Sequence, residues 1–143
     1  MKNIISICII LVFFSACKKY EDGPSMSLHS KKHRVVGPWF ISFASEDGAD
    51  KTADYQTNFY GYELLTNIDN QYSITYTYGN IFNYAETGTW DFDKTKEHLL
   101  LTKNGSSTEK DWTILQLKER ALWVRYTDNA TNPAKTVEIH FVP

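Results

Sequence analysis

The amino-acid sequence predicts an all-β fold, a small eight-stranded antiparallel up-and-down barrel. Apolar and polar residues alternate with period two from Gly37 onward, turn residues separate the alternating runs, and no segment shows the apolar spacing of a long helix. Aromatic residues make up 15% of the chain, which suits strands and excludes a disordered protein. Closing consecutive strands into a barrel removes the free edges on which sheets aggregate.

Each alternating run is predicted to be one strand. The clearest run is residues 71–78, which places Tyr72, Ile74, Tyr76 and Tyr78 on one face. In the sixth run the apolar face switches after Ile114, which predicts a β-bulge there. The eight predicted strands are residues 38–45, 57–66, 71–78, 86–92, 97–103, 109–117, 121–127 and 135–142.

The connections between these strands differ in length from one end of the predicted barrel to the other. In an up-and-down barrel, alternate connections lie at the same end. One set is long and the other is tight, so we expect an open mouth at one rim and a closed end at the other, where the first strand starts. The long connections are residues 46–56, 79–85, 104–108 and 128–134, and the tight ones are 67–70, 93–96 and 118–120.

The first sixteen residues predict an export signal. A short positive start precedes an apolar run from Ile4 to Phe14, which is too short to span a bilayer, since that takes about 20 residues. Small residues directly before Cys17 resemble the lipobox of bacterial lipoproteins, in which the cysteine is diacylated and becomes the new amino terminus. The resemblance implies that Cys17 carries a lipid. The alternative is ordinary cleavage close to Cys17.

The domain boundaries follow from this interpretation. Residues 1–16 are the lipoprotein signal peptide, 17–35 are the lipidated cysteine with a flexible tether, and 36–143 are the barrel. Cys8 would leave with the signal and Cys17 would carry the lipid, so no disulfide is expected in the barrel. We expect an outer-membrane lipoprotein of the cell envelope, attached to the membrane by its lipid, and both the periplasmic and the surface-facing leaflet stay open.

Two short motifs resemble those of a known family. Gly37 and Trp39 open the first strand like the Gly-x-Trp of lipocalins. Gly88-Thr89-Trp90, followed by Trp112, Ile114, Leu117 and Leu122-Trp123-Val124, is similar to the bacterial lipocalin-like lipoproteins. The resemblance covers about residues 35–143 and implies a barrel that binds a small hydrophobic molecule.

Several aromatic residues are candidates for a ligand site. An eight-stranded barrel either holds one small ligand or fills itself with side chains. Ile81, Phe82 and Tyr84 fall in a predicted mouth loop, where they would cap a ligand, contact a protein partner or fold back over the barrel. The inward-facing candidates, which would otherwise be plain core, are Tyr72, Tyr76, Trp90, Tyr126 and Phe141.

Catalysis and cofactor binding find no support in the sequence. It contains no Gly-x-Ser-x-Gly elbow and no phosphate-binding glycine loop. His29 and His33 lie in the tether, and His98 and His140 lie on separate strands, so we expect no metal site. A net charge of −2 gives no reason to expect nucleic-acid binding. The sequence predicts a non-enzymatic protein without a cofactor: a binder of a small hydrophobic molecule or, alternatively, an envelope or cell-surface interaction protein whose mouth loops bind a protein partner.

Overall fold

The alternating runs form one antiparallel sheet that closes on itself. A computed structural model describes residues 30–143, so the predicted signal peptide, Cys17 and most of the predicted tether lie outside the described residues. Among the described residues, no helix is long and apolar enough to cross a membrane. The elements in chain order are α1 Lys31–Val35, β1 Gly37–Glu46, β2 Ala49–Asp50, α2 Thr52–Asn58, β3 Phe59–Thr66, β4 Gln71–Tyr78, β5 Phe82–Phe92, β6 His98–Lys103, β7 Glu109–Lys118, β8 Ala121–Asp128 and β9 Lys135–Val142.

Eight of these strands build the barrel. Each pairs antiparallel with the next along the chain from β3 to β9, and β1 closes the sheet by pairing with both β3 and β9. The two-residue strand β2 pairs only with the last two residues of β1. The predicted all-β, eight-stranded antiparallel barrel is therefore confirmed.

The predicted strand bounds agree with the structure with one important difference. The predicted bulge in the sixth run is confirmed, because the β7–β8 register shifts between Ile114 and Gln116. However, β5 begins at Phe82 rather than at residue 86, because the β4–β5 ladder continues to the pair Tyr78–Phe82. The predicted mouth loop is thus too long, since Phe82 and Tyr84 are strand residues and only Ile81 lies in the turn.

The end of the predicted tether is ordered. Residues 31–35, expected to be flexible, form the short helix α1, in which Val35 is fully buried. The Val35 carbonyl accepts a hydrogen bond from the Trp39 indole nitrogen at 2.6 Å and another from the Thr66 hydroxyl at 2.5 Å. The Arg34 guanidinium donates to the Leu117 carbonyl at 2.7 Å. Burial of Val35 and these bonds explain why the coil prediction is wrong for this turn.

These contacts place α1 over the closed end of the barrel, where β1 begins. The interior of that half is filled with large apolar side chains. Trp90 is 1% exposed, and its indole nitrogen donates to the Asn67 carbonyl in the tight β3–β4 turn at 3.2 Å. Other fully buried core residues include Leu64, Leu99, Leu101, Leu117, Leu122, Val124, Val137 and Phe141.

The opposite rim carries the longest connection. Between β1 and β3 the chain forms β2 and the helix α2, which sequence periodicity did not reveal because α2 has only seven residues. The Thr52 hydroxyl accepts a hydrogen bond from the Ala44 amide of β1 at 3.1 Å, which fixes the start of α2 against the barrel. The β1–β3 ladder ends at the pair Phe40–Glu63, and α2 lies beside the wall beyond that point.

Candidate functional site: an aromatic cavity at the barrel mouth

The mouth half of the barrel encloses a cavity of about 820 Å³. Its wall comes from seven strands and from α2 and includes outward-facing residues of β7 and β8 such as Asp111 and Arg125, so the cavity lies in the barrel mouth and is open to the outside. Side chains at its apolar part include Ile41, Ile74, Trp112 and Ile139, and its tyrosines are Tyr55, Tyr62, Tyr76, Tyr84 and Tyr126, with Phe59 between them. The barrel is therefore filled at its closed end and hollow at its mouth.

One wall of the cavity is a row of stacked aromatic rings. The ring centroids of Tyr76 and Tyr84 are 4.7 Å apart and their planes differ by 19°. Tyr76 also stacks with Tyr62 at 5.9 Å and meets Phe59 edge-on at 5.2 Å. Offset and edge-to-face contacts of this kind hold rings in fixed positions, so the wall is a preformed apolar surface.

A second aromatic wall lies on β7, β8 and α2. Tyr126 stacks on Trp112 with a centroid distance of 5.9 Å. Burial, followed by the charge of Asp128, raises the pKa of Tyr126 to about 12. Burial likewise raises the pKa of Tyr62 and of Tyr55 well above the usual value for tyrosine. These hydroxyls stay protonated at neutral pH, and that of Tyr55 donates a hydrogen bond to the Glu46 carboxylate at 3.3 Å.

A buried carboxylate lies beside the first aromatic wall. Glu86 of β5 is 4% exposed, and its Oε1 accepts hydrogen bonds from the Tyr72 hydroxyl and from the Lys110 ammonium, both at 2.7 Å. Its Oε2 accepts one from the Tyr84 hydroxyl at 2.5 Å and lies 3.9 Å from the Lys103 ammonium. We call these five residues the Glu86 cluster. Two of its members, Tyr84 and Lys110, also line the cavity.

The Glu86 cluster holds its carboxylate ionised. Burial alone would raise the pKa of Glu86, but the hydrogen bonds from Lys110, Tyr84 and Tyr72 outweigh burial and lower the pKa below its ordinary value. Reciprocally, the bond to this carboxylate, with desolvation, raises the pKa of Tyr84 to about 12. The cluster therefore keeps a fixed arrangement of charges next to the cavity at neutral pH.

The cavity opens sideways as well as at the rim. The β7–β8 ladder ends at the pair Thr113–Arg125, while β7 goes on pairing with β6 and β8 goes on pairing with β9. The two strands thus separate towards the mouth. Residues on both sides of this gap line the cavity, Asp111 and Thr127 among them. The cavity therefore also opens to the outside between β7 and β8.

The structure separates the five inward-facing candidates into two groups. Tyr76 and Tyr126 line the cavity. Tyr72, Trp90 and Phe141 also face inward, but they belong to the packed core and are outside the cavity lining. Phe141 supports the walls by stacking on Tyr62 at 5.9 Å and on Trp112 at 6.0 Å. Contact of any of them with a ligand stays a prediction.

The three residues of the predicted mouth loop have different surroundings. Tyr84 points into the barrel and lines the cavity. Ile81 and Phe82 lie at the tip of the β4–β5 hairpin and are 92% and 63% exposed. The tip is therefore an exposed apolar surface beside the mouth, and neither residue lines the cavity.

The motif residues lie at the closed end and have structural roles. Trp39 and Trp90 are core residues, and Gly37 has a φ of +141°, which other residues rarely adopt. Gly88 lies where strands approach closely, because a Cβ there would come within 2.1 Å of the Thr102 carbonyl oxygen and 2.6 Å of the Tyr72 ring. None of the four lines the cavity.

The sequence pattern does not single out several residues in or beside the cavity. Glu86 has the same strand parity as Gly88 and Trp90, and Lys110 has the same parity as Trp112 and Ile114, so alternation alone would have placed both inside. However, charged residues are usually exposed, so alternation alone does not establish that Glu86 and Lys110 face inward. Tyr55 offered no such signal because it lies on the short helix α2.

The histidines on the strands contact neighbouring side chains. Within residues 30–143, no three His, Cys, Asp or Glu side chains are grouped so as to hold a metal ion. His98 is paired with Asp111 at 2.5 Å, and His140 is stacked on Trp123 with a centroid distance of 3.9 Å.

Comparison with solved structures identifies the architecture. Lobster apocrustacyanin A1 matches with a TM-score of 0.50 at 16% identity, covering 76% of this chain and 60% of that one. Apocrustacyanin C1 matches with a TM-score of 0.52 at 15% identity, covering 78% and 61%. Bovine odorant-binding protein in complex with a selenium-containing odorant matches with a TM-score of 0.50 at 13% identity, covering 82% and 74%. The fold is lipocalin-like.

The sequence comparisons leave the lipocalin-like barrel without a family assignment. No family model matches the chain, and no curated protein matches its sequence. The match spans about three-fifths of the length of the crustacyanin chains. Identities this low show the fold alone.

Proposed function

We propose that this protein is a membrane-anchored, lipocalin-like lipoprotein that binds a small hydrophobic molecule in its mouth cavity. The observation that carries the proposal is the cavity of about 820 Å³, walled by stacked tyrosines and aliphatic side chains, in a barrel whose other half is packed. Pockets for small molecules usually measure about 300–1,000 Å³ and combine apolar walls with a few fixed polar groups. The odorant in the bovine neighbour supports the proposal by analogy.

The anchor and the location belong to the same proposal. Cys17 would carry the lipid after removal of residues 1–16, and the protein would reside in the cell envelope, at the outer membrane. The chain enters the barrel at the closed end through α1, so the cavity mouth would face away from the attachment point. Changing Cys17→Ser should abolish incorporation of a labelled fatty acid into the protein in growing cells. A variant that still incorporates the label would contradict lipidation at Cys17.

Binding is tested by titrating the full chain with the uncharged fluorescent probe N-phenyl-1-naphthylamine. We expect saturable binding of about one probe per chain with increased emission, as for an apolar site enclosed by protein. Ile41→Trp would place an indole in the cavity, because Ile41 lines it, and should weaken binding by about tenfold or more.

The matched control is Ser42→Trp, which adds the same ring at the next residue, on the exposed outer face of β1. This variant should bind the probe like the unmodified chain, and cooperative thermal unfolding shows that both variants are folded. Equal affinities of Ile41→Trp and Ser42→Trp would place the probe outside the cavity.

A second function, contact with a protein partner, is favoured by the exposed hairpin tip. Tyr78, Ile81 and Phe82 are more than half exposed, and Tyr60 of β3 is 64% exposed. A photocrosslinker at Ile81 should then capture one defined envelope protein, whereas one at the exposed Thr75 of β4 should not. Identical products from both positions would count against this second function.

A further inference from the structure

The Glu86 cluster contains more positive than negative charge. One carboxylate faces two ammonium groups, from Lys110 at 2.7 Å and from Lys103 at 3.9 Å. The carboxylate accepts three hydrogen bonds, two at Oε1 and one at Oε2, and none of them comes from Lys103. Burying Glu86 needs one positive partner to offset its charge. The second lysine is therefore in excess of what the carboxylate requires.

The excess charge lies next to the cavity. Lys110 lines the cavity, its side chain is 44% exposed, and its ammonium has three donors of which Glu86 uses one. Lys103 extends over the ring of Tyr84, with its ammonium 5.7 Å from the ring centroid. The same ring stacks on Tyr76 in the aromatic wall. A positive group and an apolar wall thus meet at Tyr84.

Most other charged residues around the cavity form ion pairs with residues outside its lining. Asp111 bonds to His98, and Arg125 bonds to Glu138 at 3.0 Å, both on the outer face of the barrel. Glu46 bonds to Lys135 at 2.7 Å on the β1–β9 side of the mouth, where Asp128 adds a negative charge. The Glu86 cluster itself therefore carries net positive charge, while Glu109 at the start of β7, which also lines the cavity, and Asp128 on the β8–β9 side are negative.

We propose that the ligand of this cavity is an amphiphile with one anionic group, which binds to Lys110 and Lys103 while its apolar body lies along Tyr76 and Tyr84. The proposal rests on the proposed function and specifies its ligand class. Carboxylate and phosphate groups share the required chemistry, because both accept several charge-assisted hydrogen bonds from ammonium groups. The negative charge of Asp128 disfavours the reverse orientation.

The test compares ligands that differ only in their head group. Decanoate, decyl phosphate and 1-decanol compete for the full chain against N-phenyl-1-naphthylamine at neutral pH. One charge-assisted hydrogen bond should make decanoate or decyl phosphate at least about tenfold tighter than decanol. Whichever anion binds more tightly identifies the head group that the lysines prefer.

Variants assign the preference to the lysines. Lys110→Met and Lys103→Met should each reduce the ratio of anion to alcohol affinity, and the double variant should bring it close to one. Lys118→Met, at an exposed position at the closed end, should keep the unmodified ratio. Because Lys110→Met leaves Glu86 with a weaker partner, Lys110→Met combined with Glu86→Gln removes both charges and should also lower the ratio.

The outcomes separate this proposal from the proposed function. Equal displacement of the probe by all three ligands would overturn the anionic head group and leave the hydrophobic cavity intact. An anion preference that survives in the Lys103→Met, Lys110→Met double variant would overturn the role of the lysines. Failure of the probe and of every ligand to bind would overturn both proposals.

Discussion

Glu86 shows how one residue shapes both the stability and the chemistry of the mouth. Its charged side chain lies inside the barrel and is stabilised there by two tyrosine hydroxyls and two lysines. Removing a partner from a buried charge costs far more than the bond itself is worth. We therefore expect the cluster to be sensitive to single substitutions and to acid.

The lowered pKa of Glu86 predicts an acid-dependent contribution to stability. The unfolded carboxyl titrates near pH ~4.3. Since the folded pKa is lower, the cluster stabilises the fold above that pH, and this contribution is lost as the pH falls through the folded pKa.

Glu86→Gln should therefore reduce the loss of unfolding free energy between about pH 5 and pH 3, measured by urea titration at each pH. The unfolding free energy of this variant should still depend on pH to some extent. The reason is that hydrogen bonds from Thr95 and the backbone of His98 overcome desolvation and lower the pKa of Asp93 as well. The same pH dependence of the unfolding free energy in Glu86→Gln and the unmodified chain would mean that the cluster adds no pH-dependent stability.

At the scale of elements, the strands could be predicted from the sequence pattern and the two short helices could not. Period-two alternation with aromatic and β-branched residues is a strong signal over eight to ten residues, and even the bulge of β7 was visible in it. Helix α1 has five residues, too few for a period of 3.6 to show. Its order comes from tertiary contacts of Val35 and Arg34 with residues distant in the chain.

Because α1 packs against the barrel, we expect a substitution of its buried residue to lower the free energy of unfolding. Val35→Ala removes two buried methyl groups and should lower the free energy of unfolding by about 2 kcal/mol. His33→Ala, at an exposed position of the same helix, should have an effect within about 0.5 kcal/mol. Chemical denaturation measures both changes. Equal small effects would mean that residues 31–35 belong to a flexible tether after all.

The close approach of β5 and β6 at Gly88 predicts a second effect on the free energy of unfolding. Gly88→Ala puts a Cβ against the Thr102 carbonyl and the Tyr72 ring, so the strands have to move apart, and we expect a loss of about 3 kcal/mol in thermal or urea unfolding. The neighbouring Thr89→Ala, on the outer face, should cost no more than about 1 kcal/mol. If the two losses are alike, close approach of β5 and β6 is not the reason for this glycine.

At the scale of the whole molecule, the barrel divides into a packed closed half and a hollow mouth half. The alternating runs predicted the barrel and its two ends, and strand parity correctly placed Tyr76 and Tyr126 at the cavity. The choice between a hollow and a filled barrel could not be predicted, because it depends on how side chains from all eight strands pack. The charged cluster escaped prediction for a related reason, since the lysine that stabilises an inward-facing Glu86, Lys110, lies 24 positions away in sequence.

Nuclear magnetic resonance of the full chain, titrated with N-phenyl-1-naphthylamine, tests the central claim that the mouth cavity is the binding site. We predict saturable chemical-shift changes at Tyr76, Tyr84 and Tyr126, with small changes at Trp90 and Leu101 in the packed half. Changes confined to the hairpin tip at Ile81 and Phe82, with the cavity tyrosines unaffected, would contradict it.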